Sequence, residues 1–219
     1  MGINNIIFDF GGVIYDIDFE KSQEAFQQLG VTQKQLSFAD PFVQSIFDSL
    51  ETGKIDSEQF YAHIRQSIGL DLSDNQIERS WNALLIGFVK ERIDILRKIR
   101  ENYNIFLLSN SNIIHYKKYR EEFEQQFGYK TFDNLFRKAY FSHEMGLQKP
   151  HSRIFETVIQ QQKLVPEETL FIDDTVEHVE SARKLKIRGY FLDIQNNEDL
   201  LLLFNKSGGL NYAALSGKI

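Results

Sequence analysis

The sequence predicts an α/β protein with a parallel sheet and one helical insertion, and three observations carry that prediction. From Ile93 onward, short apolar runs alternate with stretches of helical periodicity. One more run of the same kind, Asn5-Ile6-Ile7-Phe8, stands alone near the N-terminus. Between them, from about Asp18 to Phe88, helix signals repeat without a clear strand pattern. Strands alternating with helices of this length indicate βαβ units, hence parallel pairing.

Taken in order, Asn5-Ile6-Ile7-Phe8 reads as a buried strand that ends in Asp9-Phe10-Gly11-Gly12-Val13. In the following segment, Thr32-Gln33-Lys34-Gln35 and Ser73-Asp74-Asn75-Gln76 both fit a capping box, a hydroxyl with Gln three residues on. Ile46, Phe47 and Leu50 form one apolar face there, and Phe60, Ile64 and Ile68 another. Trp81, with Ile77 and Leu84 at helical spacing, reads as core of the insert. Ile93, Leu96 and Ile99 then mark a helix face, and residues 105–108 the next strand. A charged amphipathic stretch through Tyr116, Tyr119 and Phe123 leads to strand Lys138-Ala139-Tyr140-Phe141. A helix over Ser152 to Gln162, strand 170–172, a helix around Val179, Ala182 and Leu185, and strand 189–192 complete the pattern. The expected division is a core of residues 1–16 plus 90–219 and a helical unit of residues 17–89. Gly208-Gly209 and the scattered apolar residues beyond Ser207 suggest no role.

Composition narrows the function. A formal net charge of −6 argues against a binder of nucleic-acid backbones, which needs a basic face. The absence of cysteine excludes disulfides and thiolate metal sites. With no signal-type N-terminal stretch and no run of about 18 apolar residues, the expectation is a cytoplasmic protein, free of membrane, acting as a monomer or homodimer.

The candidate chemistry lies where strands end. Asp9 closes the first strand, Ser109-Asn110 the second and Asp173-Asp174 the strand at 170–172, while Lys149 stands before Pro150 at the start of a helix. In open α/β sheets, ligands bind outside the carboxyl ends of the strands. Three carboxylates brought together there need a cation, and magnesium, which takes carboxylates together with water and phosphate oxygens, suits them. A hydroxyl and backbone N–H groups at Ser109-Asn110 and a positive charge at Lys149 suit an anion. With a carboxylate able to accept a phosphoryl group, the set describes phosphoryl transfer.

Four stretches also resemble the four motifs of the haloacid dehalogenase-like hydrolases, in that family's order. They are Phe8-Asp9-Phe10-Gly11-Gly12-Val13, Leu108-Ser109-Asn110, Gly146-Leu147-Gln148-Lys149-Pro150 and Phe171-Ile172-Asp173-Asp174-Thr175. Asp16-Ile17-Asp18 adds similarity to the branch containing α-D-glucose-1-phosphate phosphatase. The resemblance implies a Rossmann-like core with an inserted helical cap, and a Mg2+-dependent phosphatase acting on a small phosphorylated metabolite, a sugar phosphate being the favoured case. It implies Asp9 as nucleophile and metal ligand, Ser109, Asn110 and Lys149 as substrate-binding groups, and Asp173, Asp174 and the Gly11 carbonyl as further metal ligands.

Two departures are visible. Most phosphatases of the family carry a general acid/base aspartate where this chain has Gly11, and a positioned acid contributes about 10²- to 10⁴-fold. Three accounts stay open: a leaving group that needs little protonation, a substitute among Asp16, Asp18, His143 and His151, or weak turnover. Asp16 is the candidate carried forward as catalytic, with a plain linker role as its alternative. His178 occupies a position usually held by Asn. The rival functions are a haloacid dehalogenase-type hydrolase and a non-catalytic ligand-binding homologue.

Overall fold

In the computed structural model, residues 2–36, 40–128, 132–217 and 219 are described. Strand β1 (Asn5–Phe8) leads into β2 (Tyr15–Ile17), then α1 (Phe19–Gln28), α2 (Pro41–Glu51), α3 (Ser57–Ile68), α4 (Asp74–Asn82) and β3 (Leu85–Phe88). The chain continues through α5 (Lys90–Asn102), β4 (Asn104–Ser109), α6 (Ile113–Phe127), β5 (Lys138–Phe141), α7 (Ser142–Met145) and α8 (Ser152–Gln162). It ends with β6 (Thr169–Asp173), α9 (Val176–Lys184), β7 (Arg188–Phe191) and α10 (Tyr212–Leu215).

Five strands form one sheet in the order β5-β4-β1-β6-β7, and every pair in it is parallel. Alternation explains why both faces are covered. Ile6, Ile105, Leu107, Leu170 and Ile172 point into a cluster shared with Ile93, Leu96 and Ile99 of α5 and Tyr119 and Phe123 of α6. Their neighbours Ile7, Phe106, Leu108 and Phe171 point the other way, onto Ile154, Phe155 and Val158 of α8 and Ala182 of α9. Continuous apolar strands are the signature of such doubly covered parallel sheets.

The helices α1 to α4 have their own apolar cluster, built on Phe26, Val43, Phe47, Leu50, Phe60, Ile64 and Trp81 and joined by Ile114 of α6. The capping box expected at Ser73 starts α4, with Ser73 and Gln76 bonded reciprocally. The one expected at Thr32 starts no helix among the described residues: Gln35 Oε1 accepts the Thr32 N–H and hydroxyl, and the chain forms a turn. Residues 37–39 lie outside the described residues. A second correction concerns β3, which lies inside the segment expected to hold no strand. It pairs antiparallel with β2, so the insert enters and leaves through a two-stranded ribbon. Four residues with an interior Gly87 are too short and too weak in strand preference to be read from periodicity.

The tail also has a place. Leu210 and Leu215 join the sheet cluster, and the Leu210 N–H donates to the Tyr103 hydroxyl. Among the described residues no helix is long and apolar enough to cross a membrane.

Candidate active site

Parallel register brings the ends of β1, β4 and β6 to one edge. Phe8 is level with Leu107 on one side and Ile172 on the other, so the next residues, Asp9 and Asp173, are neighbours. The Asp9 N–H donates to the Ile172 carbonyl at 2.9 Å, extending the ladder by one residue. Asp174 follows at the sheet's rim, and one carboxylate oxygen from each of Asp9, Asp173 and Asp174 lies within 4.8 Å of the others.

The turn after β1 is shaped to admit them. The Gly12 N–H donates to the Tyr15 carbonyl, and the Ile14 and Tyr15 N–H groups both donate to the Phe10 carbonyl. The Gly11 carbonyl is not an acceptor in this set. Gly12 has φ +77, and a methyl group there would sit 2.2 Å from Asp174 Oδ2. Only glycine gives both the left-handed backbone and that close approach.

Lys149 enters from the loop between α7 and α8. Its ammonium lies 2.6 Å from Asp9 Oδ1 and 2.7 Å from Asp173 Oδ2, with the side chain fully buried. The Asn110 side chain clamps the lysine backbone, accepting the Lys149 N–H and donating to its carbonyl, both at 2.9 Å. Asp173 also accepts the Thr175 N–H at 2.8 Å and the His178 Nδ1–H at 3.0 Å.

Electrostatics follow from this geometry. Burial pushes Asp9 up, with the Asp173 charge adding to it and Lys149 opposing. Burial alone would raise Asp173 too, but Lys149 and His178 hold it down at about 2. Lys149 is pulled down by burial and raised on balance by Asp173 and Asp9. Asp174 is pushed up to about 7 by burial, Asp9 and Asp173. One lysine does not balance three crowded carboxylates.

A cavity of about 470 Å³ opens between this edge and the insert. Phe10, Gly11, Ser109 and Asn110 line it from the sheet side. From the insert it receives apolar walls, among them Phe19, Phe47 and Trp81, and polar groups that include Gln23, Gln44 and the carboxylates of Asp48 and Glu51.

Of the residues expected at the site, the structure thus brings Asp9, Lys149, Asp173 and Asp174 together and sets Ser109, Asn110 and Gly11 beside them. Asp16 is not in this group. It lies on β2, where its carboxylate bonds the largely buried guanidinium of Arg92 at 2.6 Å, and Arg92 also holds Asp199. The other substitutes are engaged as well. Asp18 caps α1, His151 caps α8, and His143 Nδ1 bonds the Ser111 carbonyl. Asp48 and Glu51 had not been expected. Their signal is faint: Glu51 falls one residue after Leu50 and four after Phe47, at the margin of the buried stripe of α2.

A parallel α/β sheet with this carboxylate edge defines a class of hydrolase, and the comparison with known families agrees. Residues 3–186 match the model described as haloacid dehalogenase-like hydrolase, and the chain belongs to that family. It is 31% identical over 188 residues to the D-ribitol-5-phosphate phosphatase of Bacteroides thetaiotaomicron, covering 84% of this chain and 88% of that protein. A haloacid dehalogenase family enzyme of Bacteroides thetaiotaomicron, solved with magnesium and inorganic phosphate, superposes with a TM-score of 0.81 at 33% identity over 93% of this chain and 100% of that one. A HAD-like family hydrolase structure from Porphyromonas gingivalis is similar at TM-score 0.78 and 32% identity, covering 87% and 91%.

Proposed function

We propose that the chain is a magnesium-dependent phosphatase for a small phosphorylated metabolite, a sugar or polyol phosphate being the favoured case, and that it turns over through an aspartyl-phosphate on Asp9. The observation that carries this reading is the convergence of Asp9, Asp173 and Asp174 within 4.8 Å, beside the buried ammonium of Lys149.

The donor set fits magnesium. All three groups are carboxylates, and the burial and mutual repulsion that raise Asp174 are what a divalent ion relieves. Asp9, Asp173 and Asp174 would hold it, with the Gly11 carbonyl as a further oxygen. When bound, it supplies positive charge to the carboxylates and to the phosphate oxygens.

The chain's own residues do the rest. Asp9 attacks phosphorus, and its placement at a strand end makes the attack a matter of positioning. Lys149 and Ser109 hold the phosphate, while Asn110 fixes the lysine backbone. The insert, residues 17–89, acts as a cap over the core of residues 1–16 and 90–219, selecting the substrate body and excluding water. Its mixed wall suits a polyol: aromatic faces for C–H groups, Gln23 and Gln44 for hydroxyls. The D-ribitol-5-phosphate phosphatase of Bacteroides thetaiotaomicron, similar to this chain, acts on a polyol phosphate, which supports the same substrate class.

The test is release of inorganic phosphate from a panel of sugar and polyol phosphates and from 4-nitrophenyl phosphate. Turnover should require magnesium and be lost in Asp9→Asn; metal-independent turnover, or an active Asp9→Asn, overturns the proposal.

A further inference from the structure

Phosphoester cleavage expels an alkoxide, and Gly11 offers nothing to protonate it. The conventional substitutes are engaged elsewhere: Asp16 with Arg92, Asp18 and His151 as helix caps, and His143 with the Ser111 carbonyl. Two carboxyl groups do line the cavity, Asp48 and Glu51, both near the end of α2. Asp48 accepts the side-chain amides of Gln44 at 2.9 Å and Gln148 at 3.4 Å. Glu51 forms no such bond among the described residues.

The end of α2 is also fixed against the core at this spot. Gly53, at φ +65, approaches α7, the short helix just before the loop that carries Lys149, so closely that a methyl group there would sit 2.2 Å from the His143 carbonyl oxygen. Gln148 lies next to Lys149 and ties Asp48 to the same loop. Glu51 is therefore held in the wall of the cavity that Gly11, Ser109 and Asn110 also line, by packing that does not depend on a substrate.

We propose that Glu51 of the insert is the proton donor to the leaving oxygen, replacing the carboxyl group that Gly11 lacks. The inference rests on the phosphatase reading above. In the first half-reaction an Asp9 oxygen bonds to phosphorus as the bond from phosphorus to the ester oxygen breaks. The departing electron pair stays on that oxygen, which takes the Glu51 proton. In the second, water bonds to phosphorus, its proton passes to the Glu51 carboxylate, and the bond from Asp9 to phosphorus breaks, restoring both carboxyl groups.

Its surroundings suit the role. Burial, with the Asp48 charge on the same helix, pushes Glu51 up to about 7, against the pull of Lys149 from the core. A group near this value is available both as acid and, after the first step, as base.

The experiment compares Glu51→Gln with the unaltered enzyme on two esters. One is an alkyl phosphate from the sugar and polyol panel above, and the other is 2,4-dinitrophenyl phosphate, whose leaving anion needs no proton. On the alkyl ester kcat/KM, which reports the first half-reaction alone, should fall about 100-fold or more, and its decline above pH ~7 should vanish with the acid. On the dinitrophenyl ester kcat/KM should stay within about 3-fold, which also shows that the variant is folded, while kcat falls on both esters through the shared second half-reaction. An equal loss of kcat/KM on both esters, or no loss on either, overturns the role of Glu51. An unaltered enzyme inactive on both esters overturns the phosphatase reading instead.

Discussion

Replacing Lys149 by methionine isolates the electrostatics of the site from its shape. Methionine fills a similar volume, so packing against the buried loop is largely kept, but the ammonium 2.6 Å from Asp9 and 2.7 Å from Asp173 is gone. Removing one partner of a buried ion pair costs about 3–5 kcal/mol, because the other charge stays buried without compensation. Here two carboxylates are stranded, and Asp174 stands beside them. At roughly 2–4 °C per kcal/mol for a chain of this size, Tm in metal-free buffer should drop by about 6–20 °C. The sign can be tested internally. Asp9→Asn in the Lys149→Met background removes one stranded charge, so it should recover part of the loss, a coupling of about 0.5–3 kcal/mol in a double-mutant cycle. Magnesium should restore the variant further, since a ligand at 100 times its Kd adds about 2.7 kcal/mol. The assay is thermal and urea denaturation of the four proteins with and without magnesium. A Tm within about 3 °C of the unaltered protein, or no recovery from Asp9→Asn, would refute the claim that Lys149 neutralises this cluster.

Gly12→Ala should cost about 1–3 kcal/mol from its left-handed backbone and, by displacing Asp174, weaken magnesium binding about 10- to 100-fold; calorimetric titration with magnesium reads the second effect. His115 lies buried against Trp81, and burial holds its ring neutral, its pKa pulled down to about 3. Its folded value lies below the unfolded one, so the stability it contributes is present above pH ~6.5 and is lost as pH falls towards 3, at up to about 1.4 kcal/mol per pH unit. Urea titrations at pH 5 and 7 should show that slope in the native protein and lose it in His115→Asn. Asp16→Asn should leave kcat and its pH profile unchanged and cost less than about 1 kcal/mol in denaturation, because the pair is half exposed on the aspartate side and Arg92 keeps Asp199.

What the amino-acid sequence disclosed follows from how each feature is encoded. The sheet was legible because every central strand is apolar on both faces, and its carboxylate edge because Asp9 and Asp173 end such strands abruptly. One-dimensional punctuation of that kind survives without knowing the fold. Strand β3 was hidden because its four residues carry a glycine and depend on β2, a partner more than 65 positions away, for definition. The Thr32 motif has the chemistry of a cap, and its Gln35 does fold back, but among the described residues it closes a turn and begins no helix, since a single cap does not offset the cost of nucleation. The place of Asp16 was illegible for a related reason. Its nearness in sequence to Asp9 says nothing of direction, and an antiparallel ribbon turned it towards Arg92. Glu51 is the converse case: 42 positions from Asp9, it shares a cavity with Gly11, and Gly53 lets the end of its helix lie against α7. Residues whose role depends on one element docking on another leave almost no local trace, whereas residues whose role depends on ending a strand announce it.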